Sequence, residues 1–449
     1  MQWRDILNQF FSRALRFWQT YGTRELVWRL RGEVATRMGR HAPTPTSGIA
    51  LAAPPPPNAA RVRKSVQDLL SDRFTALTPL PSFQLPPTEQ RRVNIVTDSI
   101  NVGSMFGGVG TALIIGTLLA NRLGANLRVI TRTEPAQTEN LDHLLSVYGL
   151  ALDHESGFVF LPSHAVRQAI DFSESDIFIT TSWWTTAATL GSVAPHLVWY
   201  LLQEDERMFY PFGDDRVACE SVLKRSDIRY LINTHLLYEH LNGHGMSHLK
   251  DKGIWFEPAF PASVYYPRNR EGEGKRRFAF YARPNNLRNL FYLGVKAIDA
   301  AIAQGVLDPE EWDILLVGKD IPDLEFSGGV VAQRQQNLSW ADYSELVGTV
   351  DVGLSLMSTP HPSYPPLDLA ASGAVVVTNT FGNKQDLSGY CANLICAPAD
   401  TRSLVQALSK AITLARDRDL RKRNFDTSGL CRDWNQTLSK VLAQMDVKA

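Results

Sequence analysis

Four cysteines in 449 residues are few for a disulfide framework, and with no Cys-x-x-Cys pair and no histidines at zinc-ligand spacing they show no structural zinc pattern. Such sparing use fits a reducing compartment. No apolar run reaches the roughly 18 to 20 residues that a bilayer crossing needs. The N-terminus lacks the uncharged apolar core of a signal peptide, because Arg13 and Arg16 interrupt it. A cytoplasmic chain is therefore expected. Charge of one sign is also missing: 46 basic residues balance 46 acidic ones, so no global field attracts nucleic acid. HExxH, GxSxG and any nucleophile–histidine arrangement are absent, and no metal site is expected. What remains, 44% hydrophobic and 20% charged, is ordinary globular usage, and the length predicts two domains with extras.

Residues 1–41 form a basic, aromatic segment in which Trp3, Phe10, Phe11, Phe17, Trp18 and Trp28 interleave with arginines. Ile6, Phe10, Phe17 and Tyr21 sit near helical spacing. This pattern suits an interfacial helix on an anionic membrane, and equally a helix packed on the protein body or on a second subunit of a homodimer. Bound to a membrane, the chain would be peripheral on the inner face. Residues 42–60 read as a linker, since Pro43, Pro45 and the run Pro54 to Pro57 build neither helix nor central strand.

From Arg92 the text alternates short apolar runs with helical stretches. The strand-like runs are 93–97, 127–130, 176–180, 196–202 and 228–232, the βαβ rhythm of a covered parallel sheet. A charged, glycine-bearing stretch at 268–276 breaks that rhythm, which restarts with runs at 277–281, 313–317, 351–356 and 374–378. The expected architecture is α/β: two Rossmann-like, doubly wound domains, 61–267 and 277–430, facing across a cleft, with an N-terminal helical extension. In such sheets ligands bind beyond the carboxyl ends of the strands, so the loops there should hold the chemistry.

Four loops qualify. Gly103 to Gly110 (GSMFGGVG) follows the first strand and opens a helix, where glycines and free N–H groups suit a ligand; a tight turn needing positive φ is the plain alternative. It fails the dinucleotide fingerprint, because Leu113 stands where a third glycine belongs. An NAD(P)-dependent oxidoreductase is disfavoured accordingly. Arg283 and Arg288, in the loop after the strand 277–281, could grip a diphosphate by bidentate hydrogen bonds. Gly318 and Lys319 end the next strand at the same sheet edge. The strongest stretch is 358–379, where Pro360, Pro362, Pro365 and Pro366 stiffen a loop entering a helix at about Leu367. That helix start offers N–H groups to a phosphate. Asp368, in its first turn, either complements the helix dipole or accepts hydrogen bonds from ribose hydroxyls. His361, Ser363 and Tyr364 precede it, and His361 and Tyr364 are too polar for a rigid apolar loop unless they face a ligand or are satisfied internally. In the first domain, Glu206 within QEDERMFY could orient an acceptor hydroxyl or pair with Arg207.

This order of loops resembles retaining glycosyltransferases of the GT-B fold, the glycosyltransferase 4 group. Arg283 and Arg288 match the loop that holds the donor diphosphate there, and Asp368 falls where the second acid of E-x7-E belongs. Pro360 stands in place of the first acid. A closer likeness lies in Ser182 to Thr186 (SWWTT), Gln203 to Pro211 (QEDERMFYP) and His361 to Asp368 (HPSYPPLD), which resemble bacterial rhamnosyltransferases of the rhamnan-synthesis type. The resemblance implies dTDP-L-rhamnose as donor, no further cofactor, and a saccharide or lipid-linked glycan as acceptor on a growing surface polysaccharide or O-chain. It implies donor binding by Arg283, Arg288, Gly318, Lys319, His361, Ser363, Tyr364 and Asp368, with Arg283, Lys319 and Asp368 closest to the chemistry. Gly107, Gly108, Gly110, Trp183 and Glu206 fall on the acceptor side. It further implies retention of configuration and a C-terminal helix, within 431–449, that crosses back to the first domain. A non-catalytic nucleotide-sugar-binding scaffold would share the fold and the N-terminal segment.

Overall fold

A computed structural model describes residues 64–86, 90–101, 105–163, 168–268 and 274–446. The expectations for the segment 1–41 and the linker 42–60 lie outside the described residues.

The first sheet has seven parallel strands: β1 (Arg92–Thr97), β2 (Asn126–Thr131), β3 (Ser156–Phe160), β4 (Ile177–Thr180), β5 (Val198–Leu202), β6 (Arg229–Asn233) and β7 (Gly253–Phe256). Their order is β3-β2-β1-β4-β5-β6-β7. The central strands are apolar on both faces because helices cover both, as β4 and β5, buried throughout, illustrate. Helix α1 (Gly110–Leu123) follows β1 and is buried from Gly110 to Ala120. Helix α2 (Trp183–Leu190) follows β4 and begins at a capping box in which Ser182 accepts from the Thr185 N–H.

The second sheet comprises β8 (Arg276–Ala282), β9 (Trp312–Gly318), β10 (Gln333–Gln336), β11 (Val352–Leu354), β12 (Val375–Asn379) and β13 (Leu394–Ala397). It is also parallel, in the order β10-β9-β8-β11-β12-β13. Helices α3 (Phe291–Ala303), α4 (Tyr364–Ala371) and α5 (Thr401–Arg416) cover it. Both sheets reverse direction beside their first strand, so each has a crevice at that switch point. The doubly wound α/β expectation holds for both.

Helix α6 (Trp434–Asp446) returns to the first domain and packs on α1. Trp434, Leu438, Val441, Leu442 and Met445 repeat at helical spacing and are buried with Ile95 and Val129. Each such side chain contributes on the order of 1.5–3 kcal/mol by leaving water. Asp446 then meets Arg91 at 3.6 Å and Arg122 at 3.4 Å. Among the described residues no helix is long and apolar enough to cross a membrane.

Candidate functional site

The loops at the carboxyl ends of both sheets enclose one cavity of about 650 Å³. From the first domain it takes Asp98 after β1, Gly107, Gly108 and Gly110, Trp184 after β4, and Glu204, Glu206 and Phe209 after β5. The second supplies Arg283 after β8, Gly318 and Lys319 from β9, and His361, Ser363, Tyr364 and Asp368 from the approach to α4. Thus most residues singled out in the sequence share one wall system, although some are 250 positions apart.

On the second sheet, strand register does the positioning. Ala282 of β8 lies opposite Gly318 of β9, so Arg283 and Lys319 leave neighbouring strand ends together. Gly318 is required there: a Cβ would stand 2.0 Å from the Ala282 carbonyl oxygen. Arg283 is half-buried and Lys319 exposed. Neither has an ion-pair partner among the described residues. Two like charges held side by side without counter-ions leave room for an anion.

Helix α4 starts at Tyr364, three residues earlier than expected, with Pro365 and Pro366 in its first turn. Two consequences correct the sequence reading. Asp368 sits beyond the first turn, so it is not a dipole-complementing acid. The prolines carry no N–H, which leaves Tyr364 and Leu367 as backbone donors in the first four positions. Polar side chains take over the binding surface instead. Ser363 adopts φ of 71°, a strained conformation for a non-glycine residue, and its N–H donates to His361 Nδ1 at 2.9 Å. That bond fixes the tautomer with the proton on Nε2. Burial, with Lys384 and Arg288 nearby, drops the His361 pKa to about 3, so the ring is neutral. His361 Nε2, Ser363 Oγ and Asp368 Oδ1 are all buried without a hydrogen-bond partner. Unsatisfied buried polar atoms are rare in folded proteins, and three on one cavity wall point to a ligand. Burial raises Asp368 to about 7, although Tyr265 lies nearby and the Tyr343 hydroxyl donates to Oδ2 at 3.2 Å.

Tyr364 joins the domains. Its hydroxyl lies 2.6 Å from Thr111 Oγ1, at the start of α1, and accepts from Asn233 Nδ2 at 2.8 Å, at the end of β6. Gly107, at φ of 74°, passes against the Tyr364 ring, so the glycine turn does need the left-handed conformation. Gln203 Nε2 donates to the Gly108 carbonyl at 2.8 Å and closes that loop.

The first-domain wall is acidic. Glu206 accepts from the Trp183 N–H at 2.8 Å, at the start of α2. Burial, reinforced by the Glu204 and Asp98 charges, raises its carboxyl to about 8. It does not pair with Arg207, whose guanidinium binds Asp205 at 2.7 Å. Asp98 accepts from Trp184 Nε1 at 2.9 Å, and burial raises its pKa as well.

Two residues named for the site lie outside the cavity lining. Trp183 does not line the cavity: its ring is buried in the core beside Tyr210, and Trp184 faces the cavity instead. Helical phase explains this, since adjacent residues point about 100° apart. Arg288 does not line it either. Its guanidinium lies over the Phe209 ring, 4.4 Å from the centroid, and 3.4 Å from Glu204 Oε1. Sequence reasoning missed Asp98, Glu204 and Trp184, although all three follow strands at the binding edge. It also missed Tyr148, Trp340 and Trp434, which give the cavity an aromatic end. Nothing local in the sequence marks those three. Among the described residues no group of His, Cys, Asp and Glu could hold a metal ion.

Two doubly wound sheets facing a shared cavity, with a last helix returning to the first, define the GT-B fold. The solved structures that match share it. Anabaena HepE in complex with UDP-glucose has a TM-score of 0.55 at 12% identity, covering 79% of this chain and 98% of that one. WaaG, a glycosyltransferase involved in lipopolysaccharide biosynthesis, gives 0.52 at 15%, covering 79% and 100%. Two family models also match: WsaF, N-terminal domain, over residues 92–234, and WsaF, C-terminal domain, over 276–409. The chain carries both domains of the WsaF family, in order. It is also similar to the O-antigen biosynthesis protein RfbC of Myxococcus xanthus, 30% identical over 250 residues. That match takes in 53% of this chain and only 18% of the relative, so the chain spans a small part of that protein's length.

Proposed function

We propose that the chain is a glycosyltransferase that moves L-rhamnose, or a related deoxyhexose, from dTDP to a growing surface polysaccharide or O-chain. The observation that carries this is the cation pair Arg283 and Lys319 beside three unsatisfied polar atoms, on His361, Ser363 and Asp368, in one cavity. The fold shared with a UDP-glucose-bound protein and the likeness to an O-antigen biosynthesis protein support nucleotide-sugar chemistry. The HPSYPPLD and SWWTT stretches support rhamnose as the sugar.

In this reading the donor diphosphate sits against Arg283 and Lys319, where fixed cations offset the charge that develops as it leaves. His361 Nε2–H and Ser363 Oγ hydrogen-bond the phosphate or sugar, and Asp368 Oδ1 meets the deoxyribose 3′-hydroxyl. The acceptor hydroxyl approaches from the acidic wall of Asp98 and Glu206. The sugar's anomeric carbon loses its bond to the phosphate oxygen and gains one to the acceptor oxygen. The acceptor proton passes to the departing phosphate on the same face, which gives retention.

Turnover of dTDP-L-rhamnose with and without a rhamnan acceptor tests the reading. Acceptor-dependent release of dTDP, reduced about 100-fold or more by Arg283→Ala, is expected; the loss of one transition-state donor costs that much elsewhere. Hydrolysis of the donor indifferent to acceptor, or an Arg283→Ala variant with full activity, would contradict it.

A further inference from the structure

Glu204 reaches from the first domain to the cationic groups of the second. Its Oε1 lies 3.4 Å from Arg288 Nη1, and its Oε2 accepts from Thr359 Oγ1. A third group adds to this: the Lys384 ammonium is fully buried, donates to the Met357 carbonyl at 3.0 Å, and attracts the Glu204 carboxylate. The Glu204 side chain keeps 17% exposure and lines the cavity. Its grip on Arg288 is incomplete, because Nη1 is buried yet makes no hydrogen bond. A carboxylate in a strong bidentate pair with arginine would satisfy the guanidinium fork. This one touches it without doing so.

We propose that Glu204 is an internal anion that holds Arg288, with Lys384 nearby, beside the place proposed for the diphosphate, and is displaced when the donor binds. This rests on the donor-site reading above. Arg288 is then a donor-binding group held in reserve: it stands just behind the cavity wall, stacked on Phe209, until a phosphate replaces the Glu204 carboxylate. Two roles follow for one residue. Before binding, Glu204 offsets the buried positive charge of Arg288 and Lys384, which would otherwise go uncompensated. As a competitor of the diphosphate, it also lowers affinity for donor and for the nucleotide product alike. Glu204 is a positioning residue in this account, acting through Arg288.

The sign of one substitution separates this role from a purely structural one. Glu204→Gln keeps the shape and removes the competing charge. Titrated calorimetrically into the full chain, dTDP and UDP should bind this variant roughly five- to tenfold more tightly than the wild type, the low end of coupling between sites. Thr359→Val, which removes the hydrogen bond steadying the carboxylate and with it the acceptor of the His361 N–H, should shift affinity the same way by less. It also keeps the test open if Glu204→Gln folds poorly. A carboxylate that merely joins the domains predicts weaker or unchanged binding in both variants, and that result would overturn the proposal. A wild type that binds neither nucleotide would overturn the donor-site reading itself, and this proposal with it.

Discussion

Asp368 and Gly318 show how single positions bear the account. The Asp368 carboxyl is enclosed, so burial lifts its pKa to about 7, above the roughly 3.9 of an unfolded chain. A raised folded value contributes stability below the unfolded value, and that contribution is lost as pH rises through the folded one. Asp368→Asn, which cannot ionise, should therefore gain on the wild type between about pH 4 and 7. The limiting slope is about 1.4 kcal/mol per pH unit. Melts of both proteins at several pH values check this; a gap independent of pH would mean the carboxyl is solvated. Gly318→Ala drives a Cβ into the Ala282 carbonyl and should cost about 1–3 kcal/mol or more in denaturant titration. At this scale the sequence was legible where a residue type has few other uses. Arginine, lysine and histidine at strand ends led to the cavity. Lys384 gave no such signal, because a lysine in a polar loop reads as solvated until tertiary packing buries it. The Trp183–Trp184 pair was readable only as a pair, since which ring faces the cavity depends on where α2 starts.

At the scale of elements, α6 fastens the chain's end to the first domain. Leu438 is fully buried between α6 and the α1 face. Leu438→Ala should cost about 2–5 kcal/mol, read from the shift of the urea midpoint. A loss within ±0.5 kcal/mol would mean that α6 is loosely docked. The inner strands were legible because a parallel strand covered on both faces tends to a continuous apolar run, as β5 is. The edge strands were not. β10 reads Gln-Arg-Gln-Gln and carries no apolar pattern, while β3 has only Phe158, Val159 and Phe160 after Ser-Gly, too short a run to mark a strand, and both depend on a neighbour's open hydrogen bonds. The start of α4 was misjudged for a related reason. Consecutive prolines look like loop, yet both fit a helix's first turn, where the missing N–H groups cost nothing.

Across the whole molecule, two sheets of the same winding bring opposite chemistries to one cavity: acids from the first, cations from the second. That division suits a reaction in which one partner departs as an anion and the other arrives as a hydroxyl. The order of the loops along the chain made the fold legible. The pairing of Tyr364 with Thr111 and Asn233, which joins the halves, lay in contacts 253 and 131 residues apart and could not be read from spacing. The most direct test of the central claim is calorimetric titration of dTDP, UDP, GDP and NAD into the full chain, repeated with Arg283→Ala. Selective binding of dTDP, weakened about tenfold or more by the substitution, is expected. Binding of NAD alone, or nucleotide affinity unaltered in Arg283→Ala, would contradict it.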